Sequence, residues 1–148
     1  MVNNVLNSIS KALYGTFGDT HHYYVEDIEQ KAKLPCFTIG VLNPQIRSVN
    51  RKDYYWTVPC IIHHFSEDTN NEISDTIKKS YAIGDKVIDS LEYLNIGGRT
   101  VRAENMSYTM AGRNALQIFI TYRFWTEKPE TLDNMEDLEN VKSSVGTN

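Results

Sequence analysis

HYYVEDIEQKAKLPCFTIGVLNP, residues 22–44, sets an aromatic run against an apolar run across a charged connector. Tyr23, Tyr24 and Val25 carry the β-propensity of a strand. The run from Cys36 to Leu42 is apolar apart from Thr38 and Gly40, which predicts a central strand covered on at least one face. Asn43-Pro44 closes it, because proline cannot donate to a ladder. In the connector, Glu26, Asp27 and Glu29 alternate with Lys31 and Lys33, the pattern of a solvated loop rather than of an acid/base pair or a cation site. Two strands joined through a chemically plain loop describe a scaffold.

Working outward, Val2, Val5, Leu6, Ile9 and Leu13 share one helical face, predicting a short amphipathic helix over residues 2–14 that Gly15 and Gly18 stop. Residues 45–51 pair back on residues 54–65 through the polar turn Arg51-Lys52-Asp53, with Tyr54, Trp56, Val58, Cys60 and Ile62 on one face and Tyr55, Thr57, Ile61 and His63 on the other. Pro59 demands an edge position or a bulge. Thr69-Asn70-Asn71-Glu72 matches a capping box that opens a long helix. Its stripe is Ile73, Ile77, Tyr81, Gly84, Ile88 and Leu91, with Gly84 allowing a close approach and Asn95 with Gly97-Gly98 as the stop. A second hairpin runs over residues 99–110 and returns over 114–125 through Ala111-Gly112-Arg113. The return strand points Leu116, Ile118, Ile120, Tyr122 and Phe124 inward; Phe119 and Trp125 are apolar exceptions on its outer face. The predicted fold is α+β, a mostly antiparallel sheet of about five or six strands with two helices packed on one face.

At 148 residues the chain fits one domain, which we place over residues 1–126. Hydrophobic residues at 41% and charged residues at 23% argue against global disorder. No run approaches the ~20 apolar residues of a membrane span, and MVNNVLNSIS lacks the basic and apolar regions of a signal peptide, which predicts a cytoplasmic protein. The net charge of −4 is uneven: residues 127–148 hold six acids against Lys128 and Lys142, leaving thirteen charges of each sign before them. We read that segment as an acidic tail, partly helical or disordered. A neutral body argues against a generic nucleic-acid binder. Cys36 and Cys60, on separate strands, are expected to be reduced core or near-core thiols.

Chemistry is sparse. The doublets His21-His22 and His63-His64 are the obvious metal candidates, yet adjacent strand residues point to opposite faces, so each offers one ring to a shared site and no CxxC or HExxH cluster supports it. We expect strand-end histidines meeting solvent or backbone carbonyls, and no metal or cofactor. No GxSxG turn or cysteine context marks a nucleophile, so the chain is not expected to be an enzyme. The sharper pattern is Arg47, Arg51 and Lys52 beside Tyr54, Tyr55 and Trp56. Basic residues interleaved with aromatics serve single-stranded nucleic-acid platforms. Tyr, Trp and Arg also dominate protein interfaces, and the neutral body favours that reading. Phe119 and Trp125 join this candidate interface. Leu132, Met135 and Leu138, with Val141, recur every three positions in the tail and form a third patch, ordered when its apolar stripe docks on something. The tail is either solvated or an arm laid on a neighbouring subunit or neck protein, meeting a basic surface such as Arg47, Arg51 and Lys52.

The chain resembles the tail terminator proteins of contractile-tailed bacteriophages and phage-tail-like bacteriocins. The resemblance covers roughly residues 5–126 and is anchored on Tyr23-Tyr24-Val25 through Leu34-Pro35-Cys36-Phe37, and on the hairpin ending Ile118-Phe119-Ile120-Thr121-Tyr122-Arg123-Phe124. It implies a homo-oligomeric ring, typically a hexamer. Such a ring caps the end of the tail tube and sheath, stops polymerisation, and offers a surface to a neck, head-completion or cap protein. Nucleic acid would enter only as DNA passing through the lumen. The protein would be made in the bacterial host cytoplasm and end in the virion or bacteriocin particle. The alternative is a neck adaptor or single-stranded nucleic-acid-binding module using the basic-aromatic hairpin.

Overall fold

A computed structural model describes residues 1–26, 32–67 and 72–129. The elements run α1 (Val2–Phe17), a 3-10 turn (Gly18–Thr20), β1 (His22–Val25), β2 (Cys36–Val41), β3 (Gln45–Ser48), β4 (Asp53–Phe65), α2 (Ile73–Leu91), β5 (Tyr93–Ile96), β6 (Arg99–Met110) and β7 (Ala115–Glu127). The fold is α+β. Its sheet has the order β1-β2-β4-β7-β6-β5, and β3 pairs β4 beyond the end of β2. Among the described residues only β1 and β2 pair in parallel.

The spine is the β4–β7 pair, in register without interruption from Asp53↔Glu127 to Phe65↔Ala115. Alternation sends Val58, Cys60 and Ile62 of β4, and Leu116, Ile118, Ile120, Tyr122 and Phe124 of β7, into one core with Phe37 and Ile39 of β2. Both helices cover this face. α1 contributes Val5, Leu6, Ile9 and Leu13, all buried, as its period required. A helix of this length is marginal alone; burying these four at about 1.5–3 kcal/mol each is what orders it.

Several local expectations change. Gly15 lies inside α1, and the stop is Gly18, at φ 67. The inner line of α2 is Thr76, Ser80, Gly84, Val87 and Leu91, while Ile73 and Tyr81 are 57% and 43% exposed. Glu72 is the N-cap of α2 rather than its third residue and makes no side-chain cap bond; the rest of the expected capping box, Thr69-Asn70-Asn71, lies outside the described residues. Gly97 and Gly98, at φ 59 and 83, do not stop a helix. They turn the β5–β6 hairpin, a two-residue loop that needs positive φ at both positions. α2 ends earlier, at Leu91, where Tyr122 Oη donates to the Leu91 carbonyl at 2.6 Å.

Pro59 sits in the middle of the central strand, at neither an edge nor a bulge. Its carbonyl accepts from Leu42 N–H at 2.8 Å, so its missing donor would face the same side. That side is the gap between the last β2 partner, Val41↔Cys60, and the first β3 partner, Gln45↔Thr57. No ladder bond is lost there. The bulge falls instead on β6, between Glu104 and Ser107, with Asn105 at φ 53.

Candidate functional site

β3 is exposed at all four residues and forms a free edge of the sheet. The turn that follows is built by Asn50, whose Oδ1 accepts the backbone N–H of Lys52 (2.7 Å) and of Asp53 (2.9 Å) while its Nδ2 donates to Asp53 Oδ2 (3.1 Å). This Asx arrangement holds Arg51 and Lys52 at the tip. Neither has an ion-pair partner among the described residues.

The predicted interface residues separate onto the two faces. Arg47, Tyr55 and Trp125 meet on the face away from the helices. The Tyr55 and Trp125 rings lie 4.9 Å apart on directly opposed strand positions, and the Arg47 guanidinium stands 5.5 Å over Tyr55. A shallow hollow of about 450 Å³ runs beside them, lined by Gln45, Ile46, Arg47, Tyr55 and Thr57. Phe119 is farther along the same face, opposite Ile61 and half-buried. Tyr54 and Trp56 belong to the helix-side face. Trp56 stacks on Phe124 and donates Nε1–H to Thr126 Oγ1 at 2.7 Å, so it closes the end of the core. Tyr54 lies under the Lys128 ammonium at 5.0 Å. Leu132, Met135 and Leu138 lie outside the described residues.

Two exposed apolar side chains outside the predicted apolar runs lie on the same edge: Ile46 (54%), which pairs with Trp56 and so belongs to the helix-side face, and Val49 (40%). Single apolar residues in polar context give no periodic signal, so only their position on a free edge makes them notable.

The histidine doublets do converge, each giving one ring. His21 Nε2 and His64 Nε2 are 3.1 Å apart. His64 is 1% exposed, against the expectation of a solvent-facing strand end. Burial lowers the pKa of both rings, and that of His64 falls to about 4. Among the described residues no group of three or more His, Cys, Asp or Glu is placed to hold a metal. Cys36 and Cys60 are free and buried, and lie on opposite faces of the sheet, so they cannot bridge each other. Burial pushes the Cys60 thiol up to about 12, and that of Cys36 upward.

The family described as phage tail terminator protein matches residues 4–134, and the chain belongs to it. It is therefore a structural component of a phage tail and of the virion, interacting with other tail components. No curated protein matches the sequence. One solved structure, whose name states no function, aligns over 84% of this chain and 97% of its own at 12% identity, with a TM-score of 0.39, too low to carry any argument.

Proposed function

We propose that the protein forms a closed ring, a hexamer, on the end of a completed contractile tail tube and sheath, halts their polymerisation, and presents the far side to a neck, head-completion or cap protein. The body of the ring is residues 1–126. Assembly takes place in the bacterial host cytoplasm, before the ring becomes part of a virion or headless bacteriocin. Family membership supports the tail role, and the observation that carries the surface assignment is the exposed Trp125 ring against half-buried Tyr55, with Arg47 stacked on Tyr55, beside the exposed β3 strand. Closed rings need heterologous patches, and aromatic-arginine clusters are what such patches use as anchors. Native mass spectrometry and negative-stain imaging of the protein bound to purified tubes should show six copies. A strict monomer on tubes overturns the reading; a monomer in dilute solution does not, because assembly is driven by concentration and template.

The second reading, a neck adaptor or single-stranded nucleic-acid module, is favoured by Arg51 and Lys52, without an ion-pair partner among the described residues, on the same hairpin as Tyr55 with its stacked Arg47. Retention on single-stranded DNA that weakens steeply with salt would select it.

A further inference from the structure

The described chain ends on the hairpin. Lys128 donates its backbone N–H to the Lys52 carbonyl at 2.6 Å, and its ammonium donates to Ser48 Oγ and the Asn50 carbonyl, each at 2.6 Å. Lys128, one residue before the end of the described chain, is therefore held at the turn that carries Arg51 and Lys52. The segment 130–148 that follows holds five carboxylates against the single Lys142, with Leu132, Met135 and Leu138 spaced among them. The hairpin is its complement. Arg51 and Lys52 have no acid partner among the described residues, the Asp53 carboxylate is taken up by Asn50, and Ile46 and Val49 are exposed.

We propose that the acidic segment following Pro129 docks on the β3–β4 hairpin of its own chain, its carboxylates on Arg51 and Lys52 and its leucines and methionine on Ile46 and Val49, on the side of the sheet where Lys128 meets Ser48 and Tyr54. The tether selects the occupant. From Val49 to Ile46 is about three residues of strand, ~10 Å, well within the reach of the first few tail residues. A segment attached at that distance faces its site at an effective concentration on the order of millimolar or more, which a separate copy at micromolar concentration cannot match. The hairpin is already rigid through its Asx turn and Lys128, so ordering cost falls on the tail alone.

The test is hydrogen exchange on the full chain against a chain truncated after Pro129. Amides of residues 45–52 should exchange several-fold faster in the truncated protein, and equally fast in full-length Arg51→Glu/Lys52→Glu. Protection in the full chain should persist on hundredfold dilution and fade in high salt. A synthetic peptide of residues 130–148 should restore it to the truncated chain. Equal exchange with and without the tail overturns the proposal, as does protection that disappears on dilution, which would assign the contact to a second copy. Failure to find a ring leaves these readouts, taken on the free subunit, unaffected.

Discussion

A chain of hydrogen bonds fixes the protons on His21 and His64. Thr20 Oγ1 donates its one hydrogen to the Phe17 carbonyl, so at its 3.0 Å contact with His21 Nδ1 it must accept. A neutral His21 with its proton on Nδ1 accepts at Nε2, which makes His64 Nε2–H the donor. His64 Nδ1 is then a bare acceptor, and among the described residues it is the buried side-chain nitrogen left without a partner. A second proton on His64 would have to go there, into a site without an acceptor. The sign of the pH effect follows. Above pH 6.5 both states are neutral; between 6.5 and about 4 the unfolded chain binds a proton that the native ring refuses, so stability falls as pH falls. His64 alone should cost about 2 kcal/mol between pH 7 and pH 5. His21 and His63, also lowered by burial, act in the same direction. Denaturant melts of the wild type and His64→Gln, run across that range, should show a shallower pH slope in the variant. Identical slopes would mean that His64 titrates normally. The doublets were visible in the sequence, and so was the rule that each gives one ring, but the meeting of residues 43 positions apart is a product of β1–β2–β4 pairing that no local pattern encodes.

At the scale of elements, strict alternation in β7 and β4 and the apolar stripe of α1 were legible because burial on one face imposes a period. α2 was harder. Its inner line starts with Thr76 and Ser80, small polar residues that a hydrophobic stripe cannot reveal, and the larger Ile73 and Tyr81 misdirect the phase. The reason is close packing. A Cβ on Gly84 would stand 3.0 Å from Tyr108 Cδ2, whose ring lies over the helix with its hydroxyl donating to Asp85 Oδ1 at 2.7 Å. Gly84→Val forces methyl groups into that ring and should lower stability by about 1–3 kcal/mol, despite leaving a better helix former than glycine. A melting midpoint at or above the wild type would show that Tyr108 moves aside freely. The other end of α2 is held by Tyr122, whose pKa is raised by burial and whose hydroxyl caps the Leu91 carbonyl. Tyr122→Phe should cost about 1–2 kcal/mol by leaving that carbonyl without its donor. An unchanged unfolding free energy would show that another group takes its place. β5 was missed because Gly97-Gly98 reads equally as a helix stop and as a hairpin turn; the four residues before it settle the choice only once they pair with β6.

For the whole molecule, the sheet has one face committed to its helices and one face turned away from them, and the two should respond differently to mutation. The sequence singled out Tyr54, Tyr55 and Trp56 together, but a strand sends neighbours to opposite sides, and the structure gives Trp56 to the core and Tyr55 to the surface. Trp56→Ala removes a ring stacked on Phe124 and a hydrogen bond to Thr126, so it should destabilise the subunit by roughly 2–4 kcal/mol, whatever it does to assembly. Trp125 is 47% exposed, and truncating it with Tyr55 takes little from the core. The double variant Tyr55→Ala/Trp125→Ala should therefore melt within about 1 kcal/mol of the wild type, yet lose ring formation on tubes, because exposed aromatics with a stacked arginine concentrate binding energy at an interface. Both quantities can be read on one preparation, by denaturant melts and by imaging of capped tubes. Normal rings from a stable double variant would remove this face from the assembly surface and leave the tail role itself intact.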